Sequence, residues 1–596
     1  MDRHRSKGIL WRILFILAAL ICAVILELGK HTLPGWVLAA LLFAGYYLCR
    51  VKYWKSWKIR KKLIAQLCML AGFAAVLWIS WPPVKLVPAV KGSSAGQTGV
   101  LHVAQGDLTG VLTQDGEVEV YAGIPYAKPP VGELRWREPQ SAGPWEGILK
   151  ADHFAPMSMQ TRNLPIVDSL RQIIGFHDYE ISLSDNYREA ASEDSLYLNI
   201  WKPAGEVDGC PVLVYIHGGS LQSGQPWYPD YSGEGLARKG IIVVNMGYRL
   251  GVFGFFADSE LAGESPNKTT GNYGLLDQIC ALKWVQDNIA AFGGDPDNVT
   301  LAGESAGSAC VTALCTSPEA KGLFRRAIAE SSTVTARKPA HSFRSMEDAL
   351  KAGSETKERL GVKSVKEMRD LPAEKIVDEL SAHHHITVDG YVLTQTPWES
   401  YRKGIYNEEA RLNGFNGQEA EAFILFEQAN LKNYEEKVRG MFSPQGAEKV
   451  LALYPATTDQ EAKKNWADIY SAYYFTYGHS VWERQAEANG IPSYEYLFTR
   501  KNGRLGDWHS GEEVYFYGNI PENSRLYQEE DRDLSDIMQQ YFINFIRTGN
   551  PNQNGLPEWP ANTGSQDRVL TLDQEIRMET DPFAGLYPIL DEEGAH

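Results

Sequence analysis

Three long apolar runs fall within the first 81 residues, and they limit what that part of the chain can become. Ile13 to Leu26 is unbroken apolar sequence, and Ile9 to Leu28 reaches spanning length once Arg12 and Glu27 extend to opposite interfaces. A second, shorter run, Leu33 to Cys49, opens with Pro34-Gly35, and a third covers Leu63 to Trp81. At about 1.5 Å per residue the third also crosses a bilayer as a helix. The expectation is a membrane region over 1–81 with spans at about 9–28, 33–49 and 63–81.

Charge separates this region from the rest. Residues 1–97 carry 14 Lys and Arg against 2 Asp and Glu, whereas the remainder carries 44 against 72. An acidic body of that kind excludes nucleic acid as a partner, since a basic face is needed to neutralise phosphates. The cations cluster at Arg3, Arg5 and Lys7 and again in RVKYWKSWKIRKK, residues 50–62. The positive-inside rule puts both clusters on the cytoplasmic side, so the third span exits outward. Trp and Tyr at 53, 54, 57, 78 and 81 suit interfacial zones. The expectation is a multi-pass protein of the cell membrane with its acidic part outside the cytoplasm. The rival, a cleavable signal peptide, lacks a small-x-small cleavage site and is followed by two more apolar runs. Residues 82–97, with prolines and then GSSAG, read as a linker to a soluble part at 98–596.

The seven cysteines form neither a disulfide framework nor a Cys-x-x-Cys metal spacing. The run His383-His384-His385 has no partner cluster and reads as a solvated loop, so no metal site is expected.

Chemistry concentrates around LAGESAGSAC, residues 301–310, where Gly303 to Gly307 fit Gly-x-Ser-x-Gly. Leu275, Leu276, Ile279, Leu282, Val285 and Ile289 repeat at helical spacing, and Gly293-Gly294 and Pro296 stop that helix. VTLA (299–302) is a short β-prone run, and helix resumes from Ala306. Ser305 therefore sits where a strand turns sharply into a helix, the setting in which a serine is exposed as a nucleophile. It needs a base, an acid to orient the base, and donors for the oxyanion. Upstream, the β-rich PVLVYI (211–216) ends in His217-Gly218-Gly219-Ser220, a glycine loop suited to aiming N–H groups at a carbonyl oxygen. Downstream, the order Ser, acid, His is expected. His153, His177 and His217 precede the elbow, His341 and His383 to His385 leave little room for a strand and acid, and His479 begins a helical stretch. His509 follows the strand YEYLFTR (494–500) in a Gly-rich loop. Acids are too numerous to choose by order.

The sequence resembles the type-B carboxylesterase/cholinesterase family of α/β-hydrolases, bacterial carboxylesterases among them, over nearly all of 98–596. AGIPYAKPPVGELRWREP (122–139), SEDSLYLNIWKP (192–203), YIHGG (215–219), GYRLGVFGF (247–255), GNYGLLDQICALKWVQDNIAAFGGDPDNVTLAGESAG (271–307) and RTGNPN (547–552) carry the resemblance in order. It implies an α/β-hydrolase fold, a mostly parallel sheet with helices on both faces. It also implies an ester substrate split by Ser305 as nucleophile, Glu419 as acid in the Gly-x-Asn-x-x-Glu of 414–419, and His509 as base in the Gly-x-x-His of 506–509. The oxyanion donors would be the N–H groups of Gly219, Ser220 and Ala306, with no metal or organic cofactor. Relatives include monomers, oligomers, and binding modules that have lost the serine; the same triad also serves lipases and thioesterases. Some positions depart from the pattern. Ser195 stands where relatives carry a cysteine paired near the position of Met159, Glu421 offers a second carboxylate beside Glu419, Ser220 replaces Gly or Ala, and Glu330 replaces a common Gln.

Overall fold

The computed structural model describes residues 2–595 apart from 83, 86–88, 91–95, 162–165, 167–187, 378–383, 426, 503–505, 522–526 and 554. Much of the 82–97 segment, with His177 and His383, lies outside the described residues. The chain divides into two compact units, Met1–Val87 with Arg162–Ala190, and Pro88–Thr161 with Ala191–His596.

In the first unit the apolar runs form α1 (Asp2–Leu28), α2 (Leu33–Tyr53) and α3 (Ile59–Ile79), each long and apolar enough to cross a membrane. The helices begin or end several residues beyond the apolar runs because Lys and Arg are good helix formers, so the backbone does not stop where polarity begins. Small side chains bring the helices together: Ala39 is buried with Leu26 and Val76, while Leu17, Leu41 and Leu67 project outward. Phe15 of α1 meets Phe43 of α2 edge-on at 5.6 Å, and Phe43 meets Phe73 of α3 at 6.4 Å. His31, in the turn between α1 and α2, bonds through Nδ1 to Ser80 Oγ at 3.0 Å, just past α3.

The second unit is built on an eleven-stranded sheet. In chain order its strands are β1 (Val111–Leu112), β2 (Val118–Pro125), β3 (Tyr197–Pro203), β4 (Cys210–Ile216), β5 (Ile242–Met246), β6 (Gly294–Glu304), β7 (Arg326–Glu330), β8 (Ala410–Asn416), β9 (Ser493–Phe498), β10 (Arg568–Leu572) and β11 (Arg577–Thr580). Their spatial order is β1-β2-β3-β5-β4-β6-β7-β8-β9-β10-β11. The run from β5 through β4 to β10 is parallel, and antiparallel strands flank it at both ends.

Helices cover both faces, as the period of two along each strand requires. On β4, Val212, Val214 and Ile216 pack with Leu275, Ile279 and Leu282 of α4 (Tyr273–Asn288) and with α5 (Ala306–Leu314). The alternate residues Leu213 and Tyr215 pack with Leu534, Met538 and Phe542 of the helix Glu529–Thr548 on the other face. This is the expected α/β-hydrolase arrangement. The expected solvation of the His383–His385 run fails at His384, which is buried with Nε2 3.2 Å from Thr356 Oγ1. Pairing of Ile386–Thr387 with Phe343–Arg344 draws that segment inward.

Candidate active site

Strand β6 ends at Glu304 and α5 starts at Ala306, so the whole reversal falls on Ser305, at φ +53° and ψ −122°. A non-glycine residue there is strained by about 1–3 kcal/mol and persists only where its surroundings enforce it. Here the Ser305 N–H donates to the Glu330 carbonyl of β7 at 2.8 Å. Gly307 lets α5 start directly against the sheet, because a Cβ at that position would lie 2.0 Å from the Ile216 carbonyl of β4. The motif glycine is thus required for close approach, not for an unusual φ.

His509 lies in the loop after β9. Its Nε2 is 2.9 Å from Ser305 Oγ, and its Nδ1 is 2.5 Å from Glu419 Oε2. With Nδ1–H directed at Glu419, Nε2 is left to accept the serine proton. The other Glu419 oxygen accepts the Asn416 N–H at 2.8 Å, and the carboxylate is fully buried. Acid loop and histidine loop are stitched together by Gln418 N–H to the Asp507 carbonyl, 2.9 Å, and Trp508 Nε1–H to Gln418 Oε1, 3.1 Å. Glu421 makes no bond to His509; among the described residues its buried Oε2 has no partner.

The glycine loop 217–221 follows β4. Gly219, Ser220 and Leu221 have φ of +108°, +58° and +59°, a run that turns successive N–H groups to one side. Gly218 lies against Ser305, since a Cβ on it would be 3.0 Å from Ser305 Cβ. Among the described residues no acceptor in the protein takes the N–H groups of Gly219 and Ser220. His217 braces the loop by donating from Nδ1 to the Gly218 carbonyl at 2.8 Å, and burial lowers its pKa to about 4, so it stays neutral.

Several acids around this site have placements the sequence does not reveal. Glu304, the residue before Ser305, places Oε1 3.2 Å from His509 Nε2 and accepts from Ser510 Oγ at 2.6 Å. Beneath Glu419, Glu512 accepts from Asn416 Nδ2 at 2.5 Å, Ser331 Oγ at 3.0 Å and Tyr496 OH at 3.2 Å. Burial, then Glu419 and Glu304, push the Glu512 pKa to about 7. Glu330 is wholly buried, and among the described residues its carboxyl oxygens have no partner. Burial, with Glu512 and Glu304 nearby, raises its pKa so far that it is held protonated. A protonated glutamate is neutral and close to glutamine in shape, which accounts physically for Glu330 at a position where glutamine is common.

Two rings enclose the imidazole: Phe423 stands edge-on to His509 at 5.1 Å and Phe475 tilts over it at 4.8 Å. Phe475 belongs to a π-helical turn, Ala472–Thr476, a local widening often found at functional sites. Phe423 is 43% exposed, which makes it an apolar wall open to an approaching substrate. Ser195, where relatives carry a cysteine, hydrogen-bonds Ser158 at 2.9 Å, one residue from Met159, and all seven cysteines are free.

Residues 97–586 match the Carboxylesterase family. Carboxylesterase 1C of Rattus norvegicus is 33% identical over 473 residues, which cover 74% of this chain and 83% of that one. Para-nitrobenzyl esterase of Bacillus subtilis is 31% identical over 487 residues, covering 79% and 94%. The crystal structure of Geobacillus stearothermophilus carboxylesterase EST55 at pH 6.2 superposes with a TM-score of 0.69 at 30% identity, covering 83% of this chain and all of that one. The chain belongs to the carboxylesterase family, and its activity is carboxylic-ester hydrolysis.

Burial disfavours imidazolium at His509, but Glu304 and Glu419 outweigh it and lift its pKa to about 9. A histidine serving as general base must be neutral to accept a proton, so if His509 has that role kcat/KM on a simple ester should rise with pH through an apparent pKa well above the ordinary value of about 6.5. Glu304→Gln removes one of the two nearest charges and should move that midpoint down by about one unit. A pH–rate profile of the two proteins checks this; an unmoved midpoint contradicts it.

Proposed function

We propose that Ser305, His509 and Glu419 form the catalytic triad of a membrane-anchored serine carboxylesterase. The observation that carries this reading is the imidazole bridging Ser305 Oγ and Glu419, 2.9 Å on one side and 2.5 Å on the other. Ser305 Oγ attacks the ester carbonyl as His509 Nε2 takes its proton, and Glu419 stabilises the imidazolium that forms. The N–H groups of Gly219, Ser220 and Ala306 receive the oxyanion. His509 then protonates the departing alcohol, and water activated by the same nitrogen releases the acid from the acyl-enzyme. With Phe423 and Phe475 beside the imidazole, the substrate is a small ester with an apolar portion.

In this reading residues 1–81 anchor the protein in the cell membrane, 82–97 link, and 98–596 are catalytic. Three spans with both basic clusters on the cytoplasmic side put the catalytic part outside the cytoplasm.

Ser305→Ala in the full chain should lower kcat on p-nitrophenyl esters by about 10⁴-fold or more. Activity retained within tenfold would assign the chemistry elsewhere. Protease added to intact cells should digest the acidic part; complete protection, with digestion after lysis, would reverse the orientation.

A further inference from the structure

A cavity of about 540 Å³ lies apart from Ser305, lined by Arg337, by Trp398 and Arg402 of the short helix Pro397–Arg402, by Arg484 of the helix Tyr477–Asn489, and by Asp591. Its charge runs against the surrounding protein. The part of the chain beyond residue 97 carries 72 acidic against 44 basic residues, yet this hollow gathers three guanidinium groups around one carboxylate.

That carboxylate is already neutralised. Arg484 donates to both Asp591 oxygens, at 2.8 and 3.0 Å, and Tyr477 OH donates to one of them at 2.8 Å. Arg337 and Arg402 are placed differently. Both guanidinium groups lie over the Trp398 ring, at 5.4 and 4.5 Å from its centroid, and among the described residues neither forms an ion pair. Both arginines line the hollow and are exposed, so their N–H groups are open to an incoming anion while the indole face holds each guanidinium in place. Guanidinium groups are suited to carboxylates because their planar N–H forks match the two oxygens.

The rest of the lining selects the body attached to that anion. Val481 and Ala488 add apolar surface to the same lining, and the volume far exceeds a bare inorganic ion. We propose that this cavity is a second binding site, separate from the triad, for a small organic carboxylate whose charged end meets Arg337 and Arg402 and whose apolar or aromatic body lies along Trp398 and Val481. Ester hydrolysis releases carboxylic acids, so an anion of this class is present wherever the enzyme works. The site does not depend on which serine is the nucleophile.

Calorimetric titration of the full chain in detergent with benzoate, and separately with inorganic phosphate, tests the site. Benzoate should bind saturably at one per chain, at least tenfold more tightly than phosphate. R337A/R402A should weaken benzoate at least tenfold while kcat/KM on p-nitrophenyl acetate stays within twofold, which also shows that the variant is folded. Trp398→Leu, which keeps both arginines, should weaken benzoate and leave phosphate unchanged. Benzoate binding that survives R337A/R402A lies elsewhere, in the active site or on the surface, and overturns the proposal. Phosphate binding as tightly as benzoate overturns the role of Trp398 and the carboxylate assignment.

Discussion

The site rests on one tight reversal, at Ser305. The chain must leave β6 and enter α5 within a single residue, and the left-handed backbone this imposes is held by the N–H of Ser305 on the Glu330 carbonyl and by contact between Gly307 and the Ile216 carbonyl. Both restraints come from neighbouring strands of the same parallel sheet, so the serine is positioned by the most deeply buried part of the fold. The glycine loop 217–221 leaves β4, the strand on one side of β6, and Glu419 follows β8, one strand beyond β7 on the other. Three loops at one end of a parallel sheet thereby converge where such sheets hold their ligands.

Electrostatics at this convergence is unusual for a buried place. Glu304, Glu330, Glu419 and Glu512 are all buried around a single imidazole. A buried carboxylate persists ionised only where charge or hydrogen bonds replace water. Glu419 has the Asn416 N–H and His509; Glu304 has Ser510 and His509; Glu512 has Asn416, Ser331 and Tyr496. Glu330 has none of these and is held neutral by protonation. With Glu330 neutral at the end of β7, the cluster surrounds the imidazole without carrying four charges in a low-dielectric interior.

Legibility in the sequence followed the range of the interaction. The three long apolar helices stood out because apolar runs of bilayer length have few other uses, and only their ends differ, with basic residues extending α1 to α3 and α3 stopping at Ile79, two residues short of Trp81. Helix α4 and strand β4 were legible from periods of 3.6 and 2, and the elbow from its strand–turn–helix setting. Glu419 was not, because the contact that singles it out joins two loops 90 residues apart, and only resemblance to a family reached it. Glu304 stands beside Ser305 in the motif, yet its closeness to His509 joins residues 205 positions apart, which the motif does not reveal. The placement of Phe475 depends on a π-helical turn that apolar spacing does not reveal. His384 shows the reverse error: three consecutive histidines suggested solvent, and strand pairing carried the middle one inward.

The claim at the centre of this account is that His509, aligned by Glu419, activates Ser305 and no other serine. Reaction of the full chain with a p-nitrophenyl alkylphosphonate, followed by peptide mass spectrometry, tests it most directly, because the reagent is captured only by an activated nucleophile. The account predicts one phosphonyl group per chain, on Ser305, with labelling slowed at least about 10³-fold in His509→Ala. Labelling at another residue, or at an unchanged rate without His509, would contradict it.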